Sequence, residues 1–412
     1  MPVLTRLSEH GTFRSLRHPN YRRFYVGSLF SNTGTWIQRI GQDWLTLELT
    51  HSPTALGIVT GLQFAPALLF SLHGGSLADR TDKRRLLVVT NWVSLLAAAA
   101  LGALVLTGLV TIWWVYALAF LLGTASAINS PVWQSFVQDL VGPDDLQNAI
   151  GLNSMSFNIG RLIGPALSGA LIAAFDTGPS FLLNAASYLF VIASLSRLDP
   201  DRYFRGDTPH EHADRSVKAG LRYLRTQPDI VHIMVLIFFA GTFGLNFQMF
   251  MAVMARNVFD RQADEFGLLG SIMAVGSIAG SLMAARRQRA VTALSVNNVT
   301  LVFGISLAVS AFAPSYAWYA AVLPFCGFFA LTMLTTANAF VQRRSDDAFR
   351  GRVMGVYLLL LLGGTPIGSP IVGWLAETYS ARIALAASGA SVISAAIATP
   401  LLRIAIRRLR DR

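Results

Sequence analysis

The sequence predicts an all-α membrane protein of twelve transmembrane helices, arranged as two parallel repeats of six helices. Three observations support this fold class: an apolar composition, a series of apolar segments of helical length, and an internal repeat. Of the 412 residues, 53% are hydrophobic and 13% are charged, whereas soluble chains carry about a quarter charged residues. The mean hydropathy is +0.50. This composition cannot supply the polar surface that a soluble fold of this length needs.

The apolar segments have the length of membrane-spanning helices. A bilayer core about 30 Å thick is crossed by about 20 residues of helix. These segments are too long and too continuously apolar for the alternating strands of a barrel. The predicted spans are 22–47, 54–77, 86–108, 111–135, 147–174, 179–197, 230–253, 265–285, 293–313, 316–341, 353–376 and 382–402.

The distribution of basic residues predicts the orientation. With twelve spans, 28 of the 33 Lys and Arg residues fall on one side of the membrane. The positive-inside rule places that side, with both termini, in the cytoplasm. The net charge of +11 is then a topology signal that favours contact with membrane lipids rather than with nucleic acid.

A polar segment, 199–229, divides the chain into two predicted bundles, 1–198 and 230–412. Within this cytoplasmic linker, Val217, Leu221 and Leu224 recur at helical spacing, which predicts a short amphipathic helix along the membrane face.

The two bundles repeat one another in sequence. At an offset of 204, the tripeptide at 136–138 matches that at 340–342, and near the start of each half the offset becomes 210. Because each half has an even number of spans, the repeats share one orientation, which is a transporter architecture. The matched glycines include Gly160 with Gly364, Gly164 with Gly368, Gly34 with Gly244, and Gly57 with Gly267.

The loop between spans two and three carries a motif, residues 74–85, with a glycine pair, Asp79-Arg80 and a basic cluster. It resembles the signature loop of the major facilitator superfamily, except that Asp82 stands where the family usually has glycine. The resemblance implies that Gly75, Asp79, Arg80 and Arg84 control conformational exchange, since an Asp79 contact can exist in one state only. The alternative is an ordinary positively charged loop.

A second motif, from Gly160 to Pro165, resembles the glycine-proline motif of exporters and antiporters in this superfamily. Gly160 and Gly164 form a face for close helix packing, and Pro165 weakens the local hydrogen-bond ladder. The resemblance implies that this helix seals one side of a transport path and favours export. The alternative is helix packing alone.

Span one has a polar face. Asn32, Trp36, Arg39 and Asp43 are spaced by four, three and four residues, and Gln38 flanks that face. Asp43 is the candidate proton carrier, and the alternative is a static ion pair with Arg39.

Arg161, in span five, is costly in lipid and is expected to face the interior. Its alternative partners are a carboxylate, an anionic substrate, backbone carbonyls, or the cytoplasmic interface reached by snorkelling. Asn129, Gln134 and Asn338 are further candidates for the substrate pathway, with interhelical hydrogen bonding as the alternative.

The run from Thr35 to Arg39, with Gln42-Asp43-Trp44 following, resembles the bacterial branch of the superfamily that contains the enterobactin exporter and related drug-efflux proteins. This implies a major facilitator fold in the bacterial inner membrane, and export of a small amphipathic molecule (a drug or siderophore) by proton antiport. The alternatives are a lysolipid or lipid flippase on the same fold, and a non-transporting membrane sensor or scaffold.

Signatures of enzymes are lacking in the sequence. No GxxxxGK[ST] phosphate loop and no HExxH pair is present, so ATP-driven pumping and zinc hydrolysis are not expected. We therefore expect no catalytic residues, no metal and no cofactor, and we infer no obligate protein partner.

Overall fold

The computed structural model describes residues 11–204, 222–286 and 291–410, and for 71–80, 347–348 and 401–410 it describes the backbone alone. These residues form helices joined by short turns, and no strand occurs among them. The amphipathic helix predicted in the linker depends on Val217 and Leu221, which lie outside the described residues.

The first half of the sequence forms five long helices. A 3-10 helix, Gly11–Arg17, precedes them, and a short 3-10 turn, Pro200–Arg202, follows. The helices are α1 Pro19–Thr50, α2 Pro53–Arg80, α3 Lys83–Leu106, α4 Ile112–Phe175 and α5 Gly178–Ser196.

Helix α4 contains two predicted spans. It has 64 residues, or about 96 Å of helix, far more than one bilayer crossing requires. Its path turns at Gly142, whose φ of 71° is favourable only for glycine, and Pro143 follows. Proline lacks the N–H that would continue the hydrogen-bond ladder, so a new helical segment begins there. This turn lies between predicted spans four and five.

The second half begins with an interrupted helix. α6 Pro228–Phe239 passes into a π-helical turn, Ala240–Gly244, then α7 Phe247–Val253 and a second π-helical turn, Met254–Val258. The remaining helices are α8 Ala263–Arg286, α9 Ala293–Ala311, α10 Tyr316–Arg344, α11 Asp347–Gly363, α12 Thr365–Thr378 and α13 Ala381–Arg410.

Among the described residues, ten helices are long and apolar enough to cross a membrane. α4 counts once among these ten although it holds two predicted spans, and α1 is absent from them because polar and charged residues interrupt its apolar sequence. The membrane fold is therefore as predicted, and the exact number of twelve crossings stays a prediction.

Helices α1 and α5 pack through a regular zipper of small residues. A Cβ atom added at Gly27, Gly34 or Gly41 would meet a serine side chain of α5 at 2.5–3.1 Å. The glycines recur every seven residues, as do the serines that face them, so the two antiparallel helices approach closely along their length. The facing serines are Ser194, Ser187 and Ser180, in that order.

The chain forms two compact units. One contains Met1–Thr50, Ala65–His210 and Ala263–Ser271, and the other contains His51–Phe64, Glu211–Gln262 and Ile272–Arg412. Each unit thus includes the beginning of one helix, α2 or α8, from the opposite half of the sequence. The bundle boundaries predicted at 198 and 230 are crossed by these two segments.

The two crossing segments make equivalent contacts. In one unit Gly57 of α2 packs on the backbone of Ser369 in α12, and in the other Gly267 of α8 packs on the Pro165 carbonyl of α4. Gly57 corresponds to Gly267 and Pro165 to Ser369 under the repeat offsets. Glycine is required at both seams because a side chain would overlap backbone atoms.

Candidate functional site

The candidate site lies where α1 crosses the second segment of α4. Cβ atoms added at Gly160 and Gly164 would meet the Asn32 backbone at 2.9 Å and the Trp36 Cβ at 2.5 Å. The Ser168 hydroxyl donates to the Ile37 carbonyl at 2.9 Å. The GxxxG face predicted in α4 therefore packs on α1, and it brings the polar face of α1 beside Arg161.

Two arginines lie near the Trp36 ring at this crossing. The guanidinium carbons of Arg39 and Arg161 are 5.3 Å and 5.9 Å from the Trp36 ring centroid. Both distances are within the range of cation–π attraction. Phe157 packs edge-on against the same indole at 5.5 Å. An aromatic surface with two cationic groups is thus assembled from residues of α1 and α4.

Asp43 lies one helical turn beyond Arg39 and is only 4% exposed. Arg39 is close enough to attract the Asp43 carboxyl electrostatically, and Tyr188 of α5 also lies near Arg39. Asp43 and Asp145 are the buried carboxylic acids among the described side chains. Of these, Asp43 is the one inside a predicted span, where an isolated ionised carboxylate is strongly disfavoured.

Four predicted pathway residues form hydrogen bonds within the protein, and one of them, Asn32, does so at the α1–α4 crossing. Asn32 Nδ2 donates to Ser156 Oγ across the α1–α4 crossing, at 2.9 Å. Gln38 is buried against α5, where its Oε1 accepts from Asn184 Nδ2, and so it lies on a different face from Trp36. Asn129 Nδ2 donates to Thr90 Oγ1 of α3 at 2.8 Å, and Asn338 Oδ1 accepts from Gln342 on its own helix at 2.6 Å. Gln134 is exposed.

The loop motif is described only at its basic end. Asp82 caps α3 by accepting from the Arg85 N–H at 2.9 Å. Lys83 pairs with Asp139 of α4 at 2.7 Å, and Arg84 donates to the Ser196 carbonyl at the end of α5 at 2.8 Å. For Gly75, Asp79 and Arg80 the structure describes the backbone alone, so their gating role stays a prediction.

A buried carboxylate missed by sequence reasoning lies just after the α4 turn. Asp145 is 2% exposed and accepts from Arg14 at 2.9 Å, Arg17 at 2.9 Å and His18 at 2.7 Å. Burial raises the pKa of Asp145, but the His18 hydrogen bond and the charges of Arg17 and Arg14 hold it below its ordinary value. This cluster fastens the N-terminal 3-10 helix to the cytoplasmic turn predicted between spans four and five.

The local sequence held one signal for this cluster. Asp144 and Asp145 follow Gly142-Pro143, and acidic residues favour the first turn of a helix. The basic partners are about 130 positions away in sequence, so nothing near Asp145 indicated them. The described residues contain no cluster of three or more His, Cys, Asp or Glu side chains able to hold a metal ion.

Comparison with known proteins identifies a family over almost the whole chain. The family model described as "Transmembrane secretion effector" matches residues 10–411. The staphyloferrin A transporter of Staphylococcus aureus (strain NCTC 8325 / PS 47) is 26% identical over 374 residues, covering 90% of this chain and 93% of that protein. The enterobactin exporter EntS of Escherichia coli O1:K1 / APEC is 22% identical over 401 residues, covering 96% and 94%.

Solved transporter structures share the fold. The nucleoside transporter NupG has a TM-score of 0.71 at 13% identity, covering 93% of this chain and 98% of that chain. A bacterial homolog of the human lysosomal transporter Spinster, in an inward-facing and unoccupied conformation, has a TM-score of 0.71 at 16% identity, covering 93% and 95%. Identities this low establish the fold alone.

Proposed function

Since the chain belongs to the transmembrane secretion effector family of major facilitator transporters, we propose that it exports a small amphipathic molecule, a drug or siderophore, by proton antiport. It is a multi-pass membrane protein of the secondary-transporter type rather than an enzyme. We place it in the bacterial inner membrane with both termini in the cytoplasm, in keeping with the side on which its basic loops fall.

Asp43 carries the proposal of proton coupling. It is buried in α1 beside Arg39, and no charged residue occupies the corresponding position in the second half, which is Val253. When Asp43 is ionised, its charge attracts Arg39. A proton on Asp43 removes that attraction and leaves Arg39 to find other partners. Two protonation states therefore favour two local arrangements, which is the requirement for coupling a proton to a conformational change.

The two glycine seams support alternating access. Gly57 on Ser369 and Gly267 on Pro165 are backbone contacts between segments from opposite halves of the sequence. At Gly57 and Gly267 the nearest atoms across each seam are backbone atoms, so no large side chain has to be repacked at these two glycines when the seams part. Export rather than import is favoured by the Gly160–Pro165 motif and by the name of the enterobactin exporter.

Proton movement in inverted membrane vesicles tests the proposal. A pH gradient is imposed, a panel of dyes, drugs and catecholate siderophores is added, and discharge of the gradient is followed with a pH-sensitive fluorophore. We expect at least one compound to discharge the gradient with the wild type and not with Asp43→Asn. Asp144→Asn, which removes an exposed carboxylate, is the matched control and should behave as the wild type.

Other outcomes separate the parts of the proposal. Equal responses of the wild type and Asp43→Asn would leave transport standing and reduce Asp43 to a structural ion pair. If no compound discharges the gradient, antiport fails, and fluorescent lysolipid added to the same vesicles then tests flipping across the bilayer.

A further inference from the structure

Arg161 lies at the middle of its span. It is 14 residues from the predicted start of the span at 147 and 13 from its end at 174, or about 20 Å of helix from either boundary. This distance is longer than an arginine side chain, so snorkelling to an interface does not account for it. The charge has to be compensated inside the membrane.

The described residues do not supply that compensation. Within them, the Arg161 guanidinium contacts the Trp36 ring and has no hydrogen-bond or ion-pair partner. Arg39, which lies near the same ring, is attracted by Asp43. The three charges of Arg39, Asp43 and Arg161 therefore leave one net positive charge, at Arg161, when Asp43 is ionised.

A polar stripe on α4 leads to Arg161. Gln147 and Ser154 are exposed, and Asn158 and Arg161 are half-buried. Their spacing of seven, four and three residues places them on one face of the helix. Polar side chains are disfavoured against lipid, so we infer that water reaches this face, which is exposed at its first two positions and half-buried at the last two. Beside it, Met155 and Phe157 are 44% and 46% exposed and offer apolar contact.

We propose that Arg161 binds one anionic group, a carboxylate or an ionised phenol, carried on the aromatic or apolar body of the transported molecule. The guanidinium pairs with the anion, and the aromatic body stacks on Trp36 and Phe157. One monoanion cancels the net charge of the site, so the loaded transporter moves no uncompensated charge at this depth. This inference rests on the proposed function and names the substrate class that it exports.

Calorimetric titration of the purified full-length protein in lipid nanodiscs tests this site directly. The probes are 1-naphthoate and its neutral counterpart 1-naphthamide, which differ in charge and share the same ring system. The wild type should bind naphthoate at least about tenfold more tightly than naphthamide, the gain expected of a charge-assisted pair. Arg161→Gln should lose that preference, whereas Arg161→Lys should keep most of it.

Arg261→Gln is the matched control, because Arg261 also lies over an aromatic ring, that of Tyr316 at 5.5 Å. It should bind both probes as the wild type does. Unfolding temperatures of all variants, measured in the same nanodiscs, distinguish lost binding from lost folding. The Lys variant keeps the test informative if Arg161→Gln does not fold.

The anion site is overturned if the wild type binds naphthoate no better than naphthamide, if it binds neither probe, or if Arg161→Gln retains the preference. Binding is measured without any gradient, so these outcomes leave the vesicle test of export untouched. Conversely, a preference that depends on Arg161, with no proton movement in vesicles, would retain the anion site and remove proton antiport.

Discussion

The two halves of the chain use the same packing at the middle of the membrane but different chemistry. Gly160 packs on Asn32 in the first half, and its repeat partner Gly364 packs on Thr242, the partner of Asn32. The crossing of α1 and α4 in the first half carries Arg39, Asp43 and Arg161. The corresponding positions of the second half are Met249, Val253 and Thr365. Helix packing at this crossing is thus shared by the repeat, whereas the three ionisable side chains are present only in the first-half copy.

The two halves also differ in how continuous their helices are, and here the second half is the irregular one. The charged helix α1 is unbroken over 32 residues, while its second-half counterpart is divided by the π-helical turn Ala240–Gly244. There the Leu245 N–H donates to the Ala240 carbonyl five residues back, at 2.9 Å. Across the crossing, Gly364 separates α11 from α12, although its backbone dihedrals stay helical (φ −71°, ψ −33°). π-helical turns frequently mark functional sites, and this one corresponds, under the offset of 210, to residues 30–34 of α1, where Asn32 packs on Gly160.

The contacts at the side predicted to be cytoplasmic differ as well, and we call them anchors. Asp145 gathers three basic side chains, whereas its repeat partner Phe349 stacks on Tyr223 with ring centroids 4.6 Å apart and planes at 4°. Arg352 lies over Phe349 at 5.2 Å. One anchor is therefore ionic and the other mainly aromatic, at equivalent places in the fold.

The largest effect is expected when the charged residue of the first half, Asp43, is substituted. Asp43→Asn should reduce proton-coupled transport by on the order of a hundredfold, the loss typical when a proton-transferring side chain is removed. Val253→Thr, at the corresponding position, has nearly the same shape, and its added hydroxyl can donate to a carbonyl of its own helix. It should leave coupling within about twofold, since no proton is expected to bind there. Initial rates of proton movement in inverted vesicles measure both. Equal losses in the two variants would contradict the assignment of coupling to the first half.

The next effect tests the shared packing. Gly164→Val and Gly368→Val should each destabilise the protein by about 1–3 kcal/mol through overpacking, because an added Cβ meets Trp36 in one case and the Thr242 carbonyl in the other. Thermal unfolding in detergent measures the change. Gly151→Ala is the control, since no described atom outside its own helix lies within 4 Å of its added Cβ, and a stabilisation of about 0.5–1 kcal/mol is expected. A destabilised control would point to a backbone effect instead.

A smaller effect distinguishes the ionic from the aromatic anchor by pH. Asp145→Asn should cost about 1–2 kcal/mol at pH 7, the range for a buried charged hydrogen bond with partly exposed partners. Because the folded pKa of Asp145 lies below its ordinary value, the stabilisation is complete above about pH 5 and is lost as pH falls through about 4 and below. The deficit of Asp145→Asn should therefore shrink on acidification.

Phe349→Leu is the matched variant for this prediction. Its cost, about 0.5–1.5 kcal/mol from the lost ring stacking, should stay constant between pH 7 and about pH 3, which lies below the ordinary pKa of an aspartate. Unfolding temperatures of both variants at the two pH values provide the measurement. Parallel pH profiles would show that the two anchors do not differ in the way their contacts indicate.

The smallest effect is expected at an ion pair outside the crossing of α1 and α4. Lys83 and Asp139 are 28% and 30% exposed, and pairs of this kind contribute about 0–1 kcal/mol. Lys83→Met should lower stability by less than about 1 kcal/mol, and raising the salt concentration should reduce the difference further. A larger loss in the same unfolding measurement would show that this loop contributes more to folding than to exchange.

The fold and the candidate face of α1 were open to prediction because their signals are local. Apolar runs mark the spans, and the spacing of Asn32, Trp36, Arg39 and Asp43 places them together on one helix. The offset of 204 also predicts that Gly160 and Gly364 occupy equivalent places. Short sequence motifs were enough to predict the family, which the comparison over residues 10–411 confirms.

Other features depend on contacts that one sequence does not display. A π-helical turn adds one residue to a turn without disturbing an apolar run, so the break at Ala240–Gly244 carried no hydropathy signal. Gln38 flanks the polar face in the sequence pattern, but its partner Asn184 is 146 positions away. The basic partners of Asp145 are similarly distant in sequence, and only folding brings them together.

The heptad of glycines in α1 has a consequence for how the protein can move. Three serines of α5 fit against it at regular intervals, and α4 crosses its other side at Gly160 and Gly164. A helix clasped in this way on two faces can neither rotate nor slide without lifting several contacts at once. We expect α1 to stay rigid during the transport cycle and to keep Trp36 and Asp43 at a fixed position relative to Arg161. The bending that each cycle requires would then occur in the divided helices of the second half.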